Sequence, residues 1–325
     1  MDMKPNVLLI CVDHWPGRLL GAAGHPVVQT PTLDQLAANG VRFSQAYLDM
    51  YHDVEIDMPV SGEWAREPEA LPWRLRKELL APSMNDDQVR AARRAFYALC
   101  THIDHQLRVV IGTLSQEHLL DNTVILFTSD HGDMLGDHGL WAKTKMLDGS
   151  VRVPMILCGA ANDSRVGHHR VDTRLVGLQD IMPTLLDLAG VAIPPSVSGQ
   201  SMIGERKREH FYSEIYENDY ATRMICDERF KLVYYPVGNR FQLFDLIVDP
   251  HELRDLASSA PLAEKREQLM RVLIGHLYGS DMAWLEAGHL KGLPDKRAEP
   301  EPNRSLSGQR GGHWPPPLPK SVRQT

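Results

Sequence analysis

The sequence predicts an α/β fold in which a mixed sheet is flanked by helices, followed by a small antiparallel β subdomain with a helix of its own. Three observations carry this. Two apolar runs, NVLLICV at 6–12 and NTVILFTSD at 122–130, are rich in Val, Leu and Ile, and each leads to an aspartate, Asp13 and Asp130. Continuous runs of this kind read as strands covered on both faces, and 6–12 as a central parallel strand. Between them the apolar residues recur at helical spacing. After residue 201 the texture changes to short β-like runs separated by Asn, Asp, Gly and Pro.

In chain order, TPTLDQLAANG at 30–40 has the form of a capped helix, with Thr30 before Pro31 and Gly40 as its stop. The stretch 86–120 carries Val89, Ala92, Phe96, Leu99, Ile103, Leu107 and Val110 at helical spacing and leads into the strand at 122–130. A third apolar run, RVPMILCGA at 152–160, reads as another strand, and LQDIMPTLLDLAG at 178–190 as a helix with Pro183 early and Gly190 at its end. Then EHFYSEIY, YATRMICD, RFKLVYYP and RFQLFDLI suggest a small antiparallel sheet, and 261–277 a closing helix. The expected divisions are a core over 1–204, the sheet and helix over 205–287, and an extended Pro/Gly-rich tail over 288–325.

Composition bounds the function. At 43% hydrophobic and 24% charged residues the chain has ordinary globular character, and a net charge of -7 argues against nucleic acid, which calls for a concentrated basic face. The one dense basic run, ERKRE at 205–209, alternates with acids and reads as a solvated face. Cys11, Cys100, Cys158 and Cys226 are too scattered for a CxxC metal site or a disulfide framework. The apolar stretch Val7 to Val12, beside Asp2 and Lys4, is too short for a signal-peptide core or a membrane span. The expectation is a cytoplasmic location with no membrane partner.

Ligands of open α/β sheets collect beyond the carboxyl ends of the strands, where Asp13, Asp130 and His131 fall. Two carboxylates and an imidazole suit a divalent cation such as Ca²⁺, Mg²⁺ or Mn²⁺. For either aspartate alone, capping of a turn is the simpler reading. The segment TSDHGDMLGDHGLWAKTKMLDGSVRVP at 128–154 weighs against it, because Asp130, His131, Asp133, Asp137, His138, Lys143 and Lys145 crowd into one glycine-bearing loop.

With these motifs in view, the chain resembles the sulfatase family of the alkaline phosphatase superfamily. The matching pieces are PNVLLICVDHW, PVVQTPTLDQLAANGVRFSQAY, SDHGDMLGDHGLWAK with SVRVP after it, QDIMPTLLDLAG, and RFKLVYYP followed by QLFDLIVDPHELRDLA, together covering most of 4–257. The resemblance implies one divalent cation, Ca²⁺ by family, with Mg²⁺ or Mn²⁺ as alternatives, held by Asp13, Asp130 and His131. His14 stands where the family pattern usually has a second Asp, and either ligates through imidazole or lines the pocket. Lys143 matches the lysine that contacts the ester oxygens, and His138 lies in the same loop as a further catalytic candidate.

The resemblance also implies a nucleophile, which the chain lacks. Sulfatases carry CxPxR or SxPxR, whose first residue becomes formylglycine. Only three prolines here have an arginine two residues on, in HWPGR at 14–18, ALPWR at 70–74 and PEPNR at 300–304, and His14, Ala70 and Pro300 cannot become formylglycine. LDMYHDVEIDMP, from Leu48, resembles a family segment well downstream of RFSQAY, so a junction near 47–48 removes the block that bears the nucleophile. Loss of a covalent nucleophile costs other hydrolases on the order of a millionfold in rate. The expected function is a hydrolase of small-molecule sulfate esters by descent, inactive in this chain. The alternatives are a phosphate or phosphonate monoester hydrolase and a noncatalytic metal-binding remnant. Sheet edges uncovered by the deletion would favour self-association.

Overall fold

The computed structural model describes Pro31, Tyr51 and residues 53–67, 71–81, 83–160, 164–167 and 171–299. The expected strand at 6–12, nearly all of the capped helix at 30–40, the residues Asp13 and His14, the junction at 47–48 and the tail beyond 299 lie outside them. The chain divides into two compact units. One comprises Met1–Ile56 and Arg94–Gln106, the other Asp57–Arg93 and Leu107–Thr325. In the first, the Tyr51 hydroxyl lies 2.6 Å from that of Thr101, and the Tyr51 ring packs 6.2 Å from Tyr97.

The second unit opens with α1, Trp73–Leu79, which buries Trp73, Leu75 and Glu78. Helix α2 runs from Asp86 to Gln116, four residues short of its expected end. Its start is fixed by a reciprocal cap: Asn85 Oδ1 accepts the Gln88 N–H at 2.9 Å, and Gln88 Oε1 accepts the Asn85 N–H at 3.0 Å. His118, at φ 58, turns the chain out of the helix. The apolar stripe expected along α2 is covered at Val89 but open further on, with Leu99, Ile103 and Val110 all more than half exposed.

Strand β1, Ile125–Thr128, and strand β2, Met155–Cys158, pair antiparallel with Ile125 opposite Cys158. β1 stops two residues before Asp130, so that aspartate does stand just past a strand's carboxyl end. Between the two strands lies a single helical turn, α3, Asp148–Val151. Helix α4, Ile181–Leu188, tolerates Pro183 because a first-turn N–H has no intrahelical partner to lose. Gly190, at φ 68, closes it as expected.

The C-terminal region contains an antiparallel sheet in simple order, β3 (Phe211–Ile215), β4 (Thr222–Cys226), β5 (Phe230–Tyr235) and β6 (Arg240–Asp245). Both of its faces are covered. Alternate residues Met224, Cys226, Val233, Tyr235 and Phe244 pack against Leu71, Leu75, Met134, Leu140, Met146 and Leu147. The intervening Ile225, Leu232, Tyr234 and Leu243 face Leu269 and Leu273 of helix α5, Ala263–His276. The period of two along each strand therefore sorts one sequence into two cores. Each fully buried Leu or Phe adds about 1.5–3 kcal/mol of apolar burial.

The first of these cores joins 71–147 to 224–244, so the change of texture near residue 204 is not a boundary between cores. The packed chain also continues past residue 288, where composition suggested the tail begins. Strands β7, Leu285–Glu286, and β8, His289–Leu290, form a hairpin that buries Leu290, and Leu293 packs on the same core. The run at 205–209 is not uniformly solvated either. Arg208 donates at 2.5 Å to both carboxylate oxygens of the fully buried Asp180. Among the described residues no helix is long and apolar enough to cross a membrane.

Near the start of β5, the buried amine of Lys231 contacts Asp148 at the start of α3 and Glu252 Oε1, the latter at 2.7 Å. Desolvation pulls the pKa of this amine down, but attraction to Glu252 and Asp148 outweighs it and leaves the value raised. Lys231→Ala would strip the enclosed Glu252 of its ion pair and leave Asp148 to Arg152, 3.2 Å away. The expected loss is about 3–5 kcal/mol of unfolding free energy, read from chemical denaturation at neutral pH. A loss below about 1 kcal/mol, the range of surface ion pairs, would mean that the cluster carries little of the fold.

Candidate functional site

The loop from Ser129 to Ser150 is closed by its own backbone. The Met134 N–H donates to the Ala142 carbonyl at 2.9 Å and the Gly132 N–H to the Ser150 carbonyl at 2.8 Å. A Cβ on Gly132 would stand 2.2 Å from the Gly149 carbonyl oxygen, so only glycine allows the two limbs to approach. Asp133 Oδ1 accepts the N–H groups of Leu135 and Ala142 at 2.9 and 3.0 Å, tying one limb to the other. Lys145 is enclosed, with Nζ 2.8 Å from Glu78 of α1 and donating to the carbonyls of Trp141 and Lys143 at 2.7 and 3.0 Å.

Asp137 and His138 face the strip at 60–64. The Val60 N–H donates to Asp137 Oδ1 at 3.1 Å and the Gly62 N–H to His138 Nδ1 at 3.0 Å, while the imidazole lies 4.9 Å from the Trp64 ring. His138 is 3% exposed, and burial depresses its pKa to about 4. Its ring nitrogen satisfies a backbone N–H and the ring packs on Trp64. Of the seven polar residues that crowd this loop, Asp133, Asp137, His138 and Lys145 hold its shape.

Asp130, His131 and Lys143 form the remaining group. Lys143 Nζ lies 2.7 Å from His131 Nε2, and Asp130 Oδ2 lies 3.2 Å from the same nitrogen. His131 Nδ1 is 2.9 Å from the Gly132 carbonyl, an acceptor only, which assigns the ring proton to Nδ1 and leaves Nε2 with its lone pair. Nε2 and Oδ2 are thus two electron-pair donors 3.2 Å apart, with the lysine amine 2.7 Å from the nitrogen. Asp130 is largely exposed. Against a desolvation that raises its pKa, attraction to His131 when that ring is protonated and hydrogen bonds from the His131 and Asp130 backbone and Ser129 hold the carboxyl below its ordinary value.

Lys143 is positioned by strain. Ala142 and Thr144 on either side have φ of 62 and 77, conformations that cost a non-glycine residue about 1–3 kcal/mol each. The constraint comes from Asp133 on the Ala142 N–H and from Arg74, whose Nη2 donates to the Thr144 carbonyl at 3.1 Å. Arg74 is the arginine of ALPWR, so that motif supplies a loop anchor at the start of α1 rather than a nucleophile site. Sequence reasoning missed Arg74, Glu78 and Lys231. Arginine and glutamate in a short amphipathic segment have no signal of their own.

The family model described as Sulfatase matches residues 63–191, and that described as N-sulphoglucosamine sulphohydrolase, C-terminal, matches 136–276. The chain belongs to the sulfatase family. It is 34% identical to an arylsulfatase of Clostridium perfringens over 76% of this chain and 53% of that protein. It is 34% identical to a choline-sulfatase of Rhizobium meliloti over 66% of this chain and 43% of that one. The chain spans about half the length of the curated relatives it matches. Among solved structures it is similar to the phosphonate monoester hydrolase of Agrobacterium radiobacter, with a TM-score of 0.62 and 25% identity, covering 78% of this chain and 57% of that one. A putative sulfatase of Bacteroides thetaiotaomicron shares the fold at a TM-score of 0.57. The alkaline-phosphatase-like α/β architecture is that of these neighbours.

The family implies a divalent cation, and the donor set tests whether this chain can accept one. A carboxylate oxygen and an imidazole lone pair 3.2 Å apart, on adjacent residues past a strand end, are spaced as neighbouring ligands on one ion. Asp13 and His14, the other implied ligands, lie outside the described residues. Among the described residues no group of three or more His, Cys, Asp or Glu converges on one point.

The buried His138 makes stability depend on pH. Its folded pKa of about 4 lies below the ordinary 6.5, so between those values the unfolded chain binds the proton and the folded chain does not. Stability is intact above about 6.5 and falls as pH drops towards 4, by about 3 kcal/mol from this residue. His138→Asn keeps an acceptor near the Nδ1 position, suits the φ of 56 and removes the titration. Denaturation midpoints taken from pH 7 to 4 should fall less steeply in this variant. Equal slopes would place the titration elsewhere.

Proposed function

We propose that the chain holds one divalent cation and a small-molecule sulfate ester at Asp13, Asp130, His131 and Lys143 without hydrolysing the ester. The supporting observation is the three-residue group in which His131 Nε2 and Asp130 Oδ2 converge beside Lys143 Nζ. Ca²⁺ is the ion the family favours, with Mg²⁺ and Mn²⁺ as alternatives, and His14 either joins the ligands or lines the site. When bound, the cation would neutralise charge on the ester oxygens. The chain's own residues then have distinct parts. Asp130 and His131 present donors past the end of β1, Lys143 places a positive amine against the anionic oxygens, and Asp133, Arg74 and Lys145 fix the position of that amine.

The absence of turnover rests on the nucleophile. No Cys or Ser stands in a CxPxR or SxPxR context, and the arginine of ALPWR is bonded to Thr144 and Tyr220. A junction near 47–48 accounts both for the missing motif and for a match to about half the length of the relatives. A phosphate or phosphonate monoester is the second reading of the ligand, favoured by the likeness to the phosphonate monoester hydrolase.

Two measurements test the proposal. Titration calorimetry with CaCl₂, MgCl₂ and MnCl₂ should detect one site per chain, weakened at least tenfold in Asp130→Ala. Failure to bind any of these ions would remove the metal. Release of 4-nitrophenol from its sulfate and phosphate monoesters should not exceed that of the Asp130→Ala variant, as expected for a loss on the order of a millionfold in rate. Turnover well above that variant would reject the noncatalytic reading and, by its preference, choose between sulfur and phosphorus.

A further inference from the structure

The supports of Lys143 are themselves supported, and the outermost hold lies past residue 290. Thr144 keeps its φ of 77 under the hydrogen bond from Arg74, and Glu78, one turn further along α1, holds Lys145. Arg74 in turn rests on the α1 backbone and on the Tyr220 carbonyl, to which its Nη1 donates at 3.1 Å. A helix of seven residues does not hold itself in water, so α1 depends on what grips it from outside.

That grip comes from residues 293–297. Leu293 forms a parallel bridge with Val237, its N–H donates to the Pro236 carbonyl at 2.8 Å, and the Gly238 N–H donates to the Leu293 carbonyl at 2.9 Å. Gly292, at φ 63, permits this approach, since a Cβ there would stand 2.5 Å from the Pro236 carbonyl oxygen. The chain then passes along α1. Arg76 Nη2 donates to Asp295 Oδ1 at 2.6 Å and to the Lys296 carbonyl at 2.9 Å, and Trp73 Nε1 donates to the Arg297 carbonyl at 3.2 Å. Trp73 and Arg76, three apart, share the helix face turned to this segment, and Arg74 and Glu78, four apart, share the one turned to the site loop. The Lys296 amine also pairs with Asp219, the neighbour of Tyr220. Residues 293–297 thus grip both bodies on which Arg74 rests.

Two further observations set this segment apart. It lies beyond the residues that either family model matches, and its ionic partners Asp295 and Lys296 are 40% and 43% exposed. Exposed pairs of this kind add little to global stability, and segments they hold open locally while the cores remain folded.

We propose that residues 293–297 are a positioning strap for Lys143. Closed on Trp73, Arg76 and Asp219, the strap fixes Arg74 and with it the strained backbone that presents the lysine amine to an anion. Asp295 and Lys296 are positioning residues, acting through Arg76 and Asp219. Linkage makes the effect reciprocal, so an anion bound at Lys143 holds the strap closed. The assignment rests on the anion-binding reading of Lys143, and the experiment separates the two.

Inorganic sulfate is titrated by calorimetry into the full chain with MnCl₂ present. Asp295→Ala should weaken sulfate at least about fivefold, the lower end of ordinary coupling between sites, and Asp295→Glu should retain most of the affinity. Lys265→Ala removes an ion pair with Asp227 remote from the strap and should change nothing. In the unaltered chain, saturating sulfate should slow tryptic cleavage after Lys296 and Arg297 about fivefold, because cleavage follows the population of the open strap. Lys143→Ala should lose both sulfate binding and this protection. If sulfate binds the parent but Asp295→Ala binds it equally well, if Lys265→Ala weakens it as much, or if sulfate leaves the cleavage rate unchanged, the strap is wrong and the anion site stands. If sulfate does not bind the parent, or Lys143→Ala changes nothing, the anion site falls and takes the coupling with it. Should Asp295→Ala lose its fold by circular dichroism, the tryptic rates of the unaltered chain decide the case.

Discussion

Lys231 is the group on which the placement of the site loop depends. Its amine is enclosed near the start of β5 and meets carboxylates from two other segments, Asp148 at the foot of the loop and Glu252 beyond β6. Glu252 also accepts the Asp148 N–H through Oε2 at 2.7 Å, and its carbonyl accepts Trp64 Nε1 at 2.7 Å. Burying a charge is costly unless every lone pair finds a donor. Here the requirement is met only when β5, the start of α3 and the strip around Trp64 are assembled together. The cluster thus adds less to net stability than to register, since a shifted loop would leave a carboxylate or the amine alone in a dry interior.

That fixed end makes strain at the other end of the loop sustainable. Ala142 and Thr144 hold positive φ, and the residues that keep them there, Asp133, Arg74 and Lys145, are anchored in turn by the core shared between α1 and the C-terminal sheet. The consequence is a lysine whose backbone has little freedom, presented beside Asp130 and His131. Preorganisation of this kind matters because a misplacement of an ångström weakens a charged contact considerably. The sheet's second core, against α5 and the β7–β8 hairpin, backs the opposite face of β4 to β6.

Much of this was legible in the sequence where periodicity is strong. The strands at 125–128 and 155–158, the helix from Asp86, the helix ending at Gly190 and the four-stranded sheet all fall on the runs that predict them. Motif resemblance singles out Asp130, His131 and Lys143, and in the structure Asp130 Oδ2 and Lys143 Nζ both flank His131 Nε2. The remainder was hidden for identifiable reasons. Polar density in the loop could not be divided in advance between chemistry and architecture, because Asp137, His138 and Lys145 owe their roles to partners on α1 and around residues 60–62. Arg208 read as solvated because its partner Asp180 lies 28 residues away and is itself invisible as a buried acid. The hairpin at 285–290 sits in a Gly-rich stretch whose few apolar residues carry no period.

A framework of this kind without an attacking group favours holding an ester over cleaving it. Contacts made equally to the ground state and to the transition state lower the dissociation constant without raising the rate, and acceleration needs interactions that strengthen as the bond breaks. In the proposed complex Lys143 meets charge that the ester already carries before any reaction. The further terms that distinguish a transition state, an aligned nucleophile and groups about the leaving oxygen, belong in the family to the block that the proposed junction at 47–48 removes. The strained, buried supports of Lys143 are unaffected by that loss, because their partners lie in Asp57–Arg93 and Leu107–Thr325. On the proposed reading, retention of the positioning apparatus without the reacting one leaves recognition of an anionic ester as the chemistry of this chain.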